Sequence, residues 1–329
     1  MHFVAFLLVL IALSIATPLA PEAQPAGKMP RIGHLSWFSR SDLWGQRGVD
    51  AFRHGLRDLG YVEGQNIAIE HRWAEEKPAR LPDLAAELVH LKVDVILAPG
   101  GQAAQAAKQA TPTIPIVMVA VSETVTTGLV ATVARPGGNI TGSSLISSEL
   151  VGKQLEFLKE VVPTVSRVAV LWNPLNPSHA PQLREAEGAA RALRVRLQPL
   201  EVRELGGIDR AFEAMRRERA DGLLVLTDIL FPRHGQKIAD LATKNRLAAV
   251  YGHVRHAETG GLIVYSVDVF GLYSRAATYV DKLLRGAKPA ELPIELPTKF
   301  RLIINMQPAR ALGLTIPASL LLRADRVIQ

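Results

Sequence analysis

The sequence predicts an α/β protein of two doubly wound, Rossmann-like lobes joined by a multi-strand hinge. Short apolar runs rich in Val, Ile and Leu alternate with segments whose apolar residues recur at helical spacing. This alternation occurs twice, on either side of a Gly-rich passage at residues 135–142. The chain of 329 residues is also longer than the size at which one hydrophobic core usually stops growing. Two lobes of ordinary size are therefore expected.

The first half of the chain is predicted to form one complete α/β unit. Its elements are a strand at 31–36, a helix at 49–59, a strand at 66–73, a helix at 81–91, a strand at 93–98, a helix at 102–109 and a strand at 114–120. Gly60 supplies the stop of the first helix. Strands that alternate with helices of this length form a parallel sheet covered on both faces.

The second half is predicted to repeat this pattern. Its elements are a helix at 155–162, a strand at 167–172, a helix at 183–193, a strand at 194–202, a helix at 208–215, a strand at 222–226, a helix at 238–242 and a strand at 248–251. A tail follows, with a strand at 261–266, a helix at 272–284, a strand at 298–305 and a short final helix.

Crossing segments near Gly142, Tyr265 and Thr298 are expected to join the two lobes, and several crossovers at one cleft make a hinge. The predicted boundaries follow from these crossings. The N-terminal lobe is assigned residues 30–142 and 266–296, and the C-terminal lobe residues 143–265 and 297–329.

The first 26 residues are predicted to be a signal peptide. An uninterrupted apolar segment from Phe3 to Ile15 is followed by small and Pro-rich residues, and it is too short to span a bilayer comfortably. Export to the periplasm is favoured over a buried N-terminal strand or a membrane anchor. The chain contains no cysteine and hence no lipobox, so a soluble, released protein rather than a lipoprotein is expected.

Composition and motifs argue against several function classes. The net charge of +7 is dispersed, and the densest basic cluster, Arg216 to Arg219, ends a predicted helix, where cations complement the helix dipole. No helix-turn-helix and no basic stripe interleaved with aromatic residues is present, so no nucleic-acid partner is expected. The absence of cysteine excludes zinc–thiolate sites and cysteine nucleophiles.

Signatures of catalysis and of metal binding are also missing. The sequence has no G-x-S-x-G, Walker, H-E-x-x-H or G-x-G-x-x-G motif, so it is not expected to be an enzyme. His253 and His256 have a spacing that allows joint metal ligation, but no third ligand is in register, and solvated loop histidines are the preferred interpretation. Glu75 and Glu76 are interpreted as solvated residues of a surface loop. No metal and no cofactor is predicted.

Candidate ligand-binding residues follow the predicted strands, because open α/β sheets bind ligands at the carboxyl ends of their strands. Gly100, Gly101 and Gln102 open a helix whose free N–H groups suit a ligand carboxylate, although an ordinary turn also requires glycine. Ser36, Trp37 and Phe38 are candidates at the end of the first strand, where side chains leave the sheet for the cleft. The two aromatic rings suit either stacking on a ligand or packing on a neighbouring loop.

The second lobe offers matching candidates at its own strand ends. Asn173 and Asn176 have amides that donate and accept, and they also suit a Pro-pinned turn with a helix cap. Asp228 is placed to accept a ligand ammonium group, or to start a helix. The remaining candidates end later strands or lie near the predicted hinge: Tyr251, His253, Tyr265, Ser266 and Asp268.

Several segments, in one order along residues 30–329, resemble a known family. They are Gly60-Tyr61-Val62-Glu63-Gly64-Gln65-Asn66, Glu70-x-Arg72-Trp73-Ala74, Arg80-Leu81-Pro82-x-Leu84-Ala85, Arg135-Pro136-Gly137-Gly138-Asn139-Ile140-Thr141-Gly142, Asn173-Pro174-x-Asn176-Pro177, Pro297-Thr298-Lys299-Phe300 and Leu312-Gly313-Leu314-Thr315-Ile316-Pro317. The chain thereby resembles the periplasmic substrate-binding proteins of ABC transporters related to tryptophan- and tyrosine-binding members. The resemblance implies a type I periplasmic-binding fold with a three-strand hinge and a small ligand clasped by closure.

The resemblance places two segments near the expected cleft where this chain departs from its relatives. Ser122 and Glu123 stand where relatives often carry a Gly-rich turn with Asp-Pro, and the strand at Tyr265 continues as Ser-Val-Asp where relatives tend to have Tyr-Gly. Ser122 and Glu123 therefore join the candidate site, and the particular solute is left open.

The leading hypothesis is an exported, monomeric solute-binding component of an ABC importer that delivers an amino acid or similar carboxylate to a membrane permease. Closure of the lobes on the solute would couple binding to a change of shape. A ligand-sensing protein resembling the ectodomain of a signalling system is the first alternative. An enzyme on a doubly wound scaffold, acting on a nucleotide, is the second.

Overall fold

Two separate β-sheets organise the part of the chain that the structure describes. The structure is a computed structural model and describes residues 29–145, 147–228 and 230–329, with only the backbone of 147–149. The predicted signal peptide, residues 1–26, lies outside the described residues. Within the described residues no helix is both long and apolar enough to cross a membrane.

The first sheet has five parallel strands in the order β2-β1-β3-β4-β5. The strands are β1 (Arg31–Ser36), β2 (Ala68–Trp73), β3 (Val95–Pro99), β4 (Ile116–Ser122) and β5 (Ile140–Leu145), and the helices between them are α1 (Leu43–Asp58), α2 (Leu81–His90) and α3 (Gly101–Ala110). This parallel α/β unit confirms the fold class predicted for the first half. The first helix begins earlier than predicted, because the Asp42 carboxylate caps it by accepting from the Gly45 N–H at 2.9 Å.

The second sheet has seven strands in the order β12-β11-β10-β9-β8-β6-β7. Its elements in chain order are α4 (Ser147–Val161), β6 (Arg167–Trp172), α5 (His179–Leu193), β7 (Arg196–Glu201), α6 (Leu205–Arg217), β8 (Gly222–Val225), α7 (Leu230–Arg233), α8 (Gly235–Lys244), β9 (Ala248–Tyr251) and β10 (Ile263–Val267), and then, after α9 (Val269–Leu284), β11 (Phe300–Asn305), α10 (Met306–Ala311), α11 (Ala318–Arg323) and β12 (Arg326–Ile328). The sequence did not predict α7 or β12.

Both faces of each sheet are buried, which explains the continuous apolar runs. In β3, Ile96 and Ala98 belong to one hydrophobic cluster, whereas Val95 and Leu97 belong to another. Because side chains alternate across a strand, this division means that helices cover the sheet on both sides. In the second sheet Leu223 and Leu224 divide in the same way.

The chain passes between the sheets three times, after β5, after β10 and before β11. Helix α9 follows a strand of the second sheet but packs on α1, β4 and β5 of the first lobe. The contact with α1 is close because Gly55 has no side chain: a Cβ there would lie 2.3 Å from the Ser274 carbonyl oxygen. The chain then returns to the second sheet through residues 285–299.

This return corrects one expectation, because β11 pairs with β10 antiparallel, from Ile263 opposite Ile304 to Val267 opposite Phe300. The second sheet is therefore mixed rather than purely parallel. The physical reason is the route of the chain: it comes back from the first lobe at the end of β10 that faces the cleft, so β11 runs away from that lobe.

Candidate functional site

A cavity lies between the two lobes, where the strands of both sheets end. Its volume is about 100 Å³, counted as space open to the centres of water molecules, and one water needs roughly 10–15 Å³ on this measure. Its lining comes from the ends of β1, β3, β4, β5, β8 and β9, the loop after β6, the first turns of α1, α3, α4 and α9, and the crossing segment between β10 and α9. This is the position where open α/β sheets bind small ligands.

Aromatic rings from the first lobe form much of the cavity wall. Trp37 and Phe38 follow β1 and meet edge to face, with ring centroids 5.8 Å apart. Trp44 lies in the first turn of α1, with its ring centroid 5.4 Å from the His253 ring of the opposite lobe. Tyr273 of α9 completes this wall. All four first-lobe rings are at most 9% exposed, so the wall is a shielded surface suited to an apolar ligand body.

The loop from β3 into α3 lines the cavity with two glycines and Gln102. Gly100 has a φ of +79°, a conformation that other residues rarely adopt. Gly101 is different, since a Cβ there would meet only Val121 Cγ1 at 3.8 Å, an ordinary contact. The fold therefore requires glycine at 100 but not at 101, where a missing side chain keeps cavity space open.

Polar groups without protein partners are present at this loop. The N–H groups that open α3 have no acceptor within the helix, as at any helix start, and they give its end a partial positive charge. Gln102 Oε1 is buried and has no hydrogen-bond partner among the described residues. The loop thus combines donors suited to an anion with one free acceptor.

Asp228 is the acidic residue that lines the cavity on the C-terminal lobe. Its Oδ2 accepts from Asn176 Nδ2 at 2.7 Å and lies 3.5 Å from Asn173 Nδ2, and its Oδ1 accepts from the Leu230 N–H at 2.7 Å. A carboxylate has about four acceptor positions, so these bonds orient the group and leave capacity for a cationic donor.

His179 is a buried, neutral ring that contacts Asp228. Its Nδ1 accepts from the backbone N–H of Asn173 at 2.7 Å, so the proton is on Nε2 and is donated to the Thr227 carbonyl at 3.0 Å. Burial lowers the pKa of His179, although the nearby Asp228 carboxylate raises it. The 3.5 Å contact between His179 and Asp228 is therefore not an ion pair.

His253 is also neutral and lies in the cavity wall. Its Nδ1 accepts from the backbone N–H of Arg255 at 3.2 Å, which leaves the proton on Nε2. Burial, with a smaller contribution from the Arg255 guanidinium, lowers the pKa of His253 to about 4. The ring can therefore donate one hydrogen bond without bringing a positive charge into the cleft.

The two lobes touch directly across the cleft. Ser178 Oγ donates to the Ser122 carbonyl at 3.0 Å, which joins the loop after β6 to the end of β4. The Arg255 guanidinium of the second lobe pairs with the Asp42 carboxylate that caps α1, at 3.2 Å. The lobes are thus in contact around the cavity rather than spread apart.

The structure brings eight of the predicted site residues to the cavity lining: Trp37, Gly100, Gly101, Gln102, Ser122, Asn176, Asp228 and His253. Phe38 and Ser266, which were also considered, line it as well. Their roles in binding remain predictions, but their convergence from both lobes follows the expected geometry of strand ends.

Three other predicted site residues lie next to the cavity lining rather than in it. Ser36 Oγ accepts from the Phe38 N–H at 3.2 Å and shapes the turn after β1. Asn173 lies behind Asp228. The Glu123 carbonyl accepts from the Thr127 N–H at 2.9 Å in the turn that follows β4. Each forms part of the framework of a cavity loop.

Three further candidates do not line the cavity. Tyr251 is the last residue of β9, one position before Gly252, which lines the cavity. Its ring stacks on His256, with ring centroids 4.5 Å apart. Tyr265 packs against Phe157 at 5.0 Å, because its neighbour Ser266 occupies the cavity side of the strand. Asp268 pairs with Arg301 at 3.0 Å.

Sequence reasoning missed two of the aromatic wall residues. Trp44 could have been found, because Asp42 is a recognisable N-cap that places it in the first helical turn beside the cleft. Tyr273 could not, since α9 reaches the first lobe only by crossing back from the second sheet. Thr227, Gly252 and Val254, beside predicted candidates, also line the cavity.

The prediction that His256 and Glu76 are solvated surface residues is wrong. His256 is 1% exposed, and neither of its ring nitrogens has a hydrogen-bond partner among the described residues. Burial lowers the pKa of His256 well below the usual value, so it is a core residue. Glu76 is not simply solvated either, because it pairs with Arg233 of the opposite lobe. Glu75 does remain exposed, and its side chain accepts from the Arg40 N–H at 3.1 Å.

Comparison with known proteins decides the family. The model of the ABC transporter substrate binding protein family matches residues 46–328. The chain belongs to this family. The resemblance inferred from the motifs is therefore confirmed, and family members are substrate-binding proteins rather than enzymes.

Individual relatives of this substrate-binding protein agree. It is 27% identical to a tyrosine-binding protein of Clostridioides difficile (strain R20291) over 263 residues, which are 80% of this chain and 75% of that protein. An ABC domain from Streptococcus pneumoniae, solved in complex with L-Trp, covers 92% of this chain and 100% of its own, at 24% identity and a TM-score of 0.85. A conserved domain protein from Vibrio cholerae covers 91% and 100%, at 26% identity and a TM-score of 0.84. The two-lobed periplasmic-binding fold is thereby confirmed.

Proposed function

We propose that this substrate-binding protein is the exported component of an ABC importer and captures an amino acid with an aromatic or large apolar side chain. The observation that supports this most is the composition of the interlobe cavity. Four aromatic rings and a helix start of one lobe line it together with a carboxylate and an amide of the other lobe. Zwitterionic aromatic solutes match each of these groups.

Each part of such a solute has a partner of suitable chemistry. The α-carboxylate would accept from the N–H groups that open α3, near Gly101. The α-ammonium would donate to Asp228 and to the free Oε1 of Gln102, which has no partner among the described residues. The apolar side chain would pack against Trp37 and Trp44, with His253 available as a neutral donor.

The relatives support this choice of solute. One is named a tyrosine-binding protein and another was solved in complex with L-Trp. The proposed cycle is that of a periplasmic, monomeric carrier: the solute bridges the two lobes, the lobes close, and the closed form delivers the solute to a membrane permease without chemical change. A ligand-sensing role would use the same binding step.

Thermal-shift measurements on residues 27–329 test the proposal. The twenty standard amino acids are added separately, and we expect L-tyrosine, L-tryptophan or L-phenylalanine to raise the melting temperature most. At 100 times the dissociation constant a ligand adds about 2.7 kcal/mol to the free energy of unfolding. The Asp228→Asn variant should reduce this response by half or more, whereas Asp209→Asn, at a surface ion pair of the same lobe, should keep it. Stabilisation by no amino acid with an aromatic or large apolar side chain would contradict the proposal.

A further inference from the structure

Two arginines outside the cavity lining touch both an aromatic wall residue and an acidic residue across the cleft. Arg233 belongs to α7 of the second lobe, and its guanidinium carbon lies 5.4 Å from the centre of the Trp37 ring in the first lobe. The same guanidinium pairs with Glu76, also in the first lobe. Both contacts of Arg233 therefore cross from the second lobe to the first, and they require the lobes to be in contact.

Arg47 makes the equivalent contact from the first lobe. Its guanidinium carbon lies 5.2 Å from the Trp44 ring centre and 4.6 Å from that of Phe270. Its Nη1 pairs with Glu258 of the second lobe at 2.9 Å. Both arginines therefore link an aromatic residue at the cavity to an ion pair that spans the cleft.

The loop that presents Glu76 is held in a costly conformation. Glu75 and Glu76 have φ values of +51° and +60°, in the left-handed region that side chains other than glycine seldom adopt. Two backbone hydrogen bonds fix the loop beside the aromatic wall: Ala74 N–H to the Ser36 carbonyl at 2.8 Å, and Glu76 N–H to the Trp37 carbonyl at 2.9 Å. Strain of this kind persists where the surroundings over-determine the backbone, and here it places a carboxylate next to Trp37.

We propose that Arg233 and Arg47 are positioning residues for solute capture, which hold Trp37 and Trp44 against the solute through ion pairs formed only on lobe closure. This inference rests on the proposed function. Opening the lobes would break Arg233–Glu76 and Arg47–Glu258. It would also separate Arg233 from the Trp37 ring and leave Arg47 beside Trp44 without its acidic partner. The arginines should therefore slow solute release more than they speed solute entry.

The dissociation rate of L-tyrosine, measured by stopped-flow, tests the proposal on the Arg233→Gln, Glu76→Gln and Arg47→Gln variants. We expect Arg233→Gln to raise this rate about fivefold and the more exposed Arg47→Gln about twofold to threefold, with association changed less than twofold. The double variant of residues 76 and 233 should release no faster than Arg233→Gln. The swapped pair Glu76→Arg with Arg233→Glu restores the ion pair but removes the guanidinium from the Trp37 ring, so it should restore slow release only in part.

Arg323 provides a matched control. It lies 5.0 Å from the Phe157 ring centre and pairs with Glu160 at 3.1 Å, but all three residues belong to the second lobe. Arg323→Gln should leave release unchanged. A folded Arg233→Gln protein with the wild-type dissociation rate, or an equal effect of Arg323→Gln, would overturn the proposal.

A ligand-free measurement separates this proposal from the proposed function. Ion pairs that form on closure also stabilise the fraction of ligand-free protein that is closed without solute. By small-angle scattering without solute, added salt should therefore increase the wild-type radius of gyration, because the ion pairs are screened, and Arg233→Gln should weaken that increase. If no amino acid with an aromatic or large apolar side chain binds the wild type, the proposed function fails, and the scattering experiment still tests the ion pairs. If such an amino acid binds but neither release nor scattering depends on Arg233, only the positioning role fails.

Discussion

Asn176 donates from Nδ2 to Asp228 Oδ2 at 2.7 Å, joining the loop after β6 to the loop after β8. These two residues are 52 positions apart in sequence, and both line the cavity. The bond fixes the carboxylate of a cleft that otherwise consists largely of apolar groups and neutral donors. An ammonium group entering the cleft would meet an acceptor whose orientation is already set, so little of the binding free energy is lost in ordering it.

Replacing Asp228 by Asn should weaken binding of L-tyrosine at least tenfold, about 1.4 kcal/mol. The amide removes the negative charge that the ammonium would meet and places a second donor beside Asn176 Nδ2. Isothermal titration calorimetry measures the affinity, with Asp209→Asn as the control for loss of one surface carboxylate. Unchanged affinity in the folded variant would move the ammonium site elsewhere.

Substitution of Gly101 should affect ligand affinity, whereas substitution of Gly100 should affect the free energy of unfolding. Gly101→Val should weaken binding at least tenfold, about 1.4 kcal/mol, in protein that still folds, because the side chain enters cavity space that the fold leaves free. Gly100→Ala should instead lower the free energy of unfolding by about 1–2 kcal/mol, because φ is +79° there. Calorimetry and urea unfolding of both variants separate the two effects. A destabilised Gly101→Val protein with full affinity would make that glycine structural.

Gly55→Ala should destabilise the first lobe by about 1–3 kcal/mol, as overpacking does elsewhere. The added methyl would lie 2.3 Å from the Ser274 carbonyl oxygen, so α1 and α9 must separate. Gly152 of α4 is the control, because a Cβ there would meet only the Ala189 Cβ at 3.6 Å. Urea unfolding should give a clear loss for Gly55→Ala and little change for Gly152→Ala.

Mild acid should destabilise the protein through its buried histidines. Burial, followed by the positive charges of His71 and Arg53, lowers the pKa of His34 to about 3, and burial lowers that of His253 to about 4. Below the unfolded-state pKa of about 6.5, these histidines bind protons in the unfolded chain but stay neutral in the folded protein. Each such histidine therefore costs about 1.4 kcal/mol of unfolding free energy per pH unit as the pH falls from about 6.5 towards its folded pKa.

Urea unfolding between pH 7 and pH 5 measures this slope. His34→Gln should flatten it, because the glutamine amide does not titrate. Equal slopes for the wild type and His34→Gln would show that His34 is not held neutral in the folded state.

The sequence by itself determined the local elements and the loops that follow them. The apolar run of β3, Gly100 and the Ala-rich α3 could be identified without coordinates, because strand and helix periodicities and the glycine conformation are properties of a few neighbouring residues. For the same reason Trp37, Gln102 and Asp228 were identified as residues at strand ends. The family motifs added the expectation that these ends face one cleft.

Only the tertiary structure decided which distant segments meet. Tyr273 lies in the aromatic wall of the first lobe, and β11 pairs antiparallel with β10. Tyr265 lies on the face of its strand that points away from the cavity, against Phe157. Glu76 pairs with Arg233, 157 residues away in sequence. Periodicity reports which face of a segment is apolar, but not which other segment buries it. That choice depends on how all the apolar faces can be covered together, and on the route by which the chain crosses between lobes.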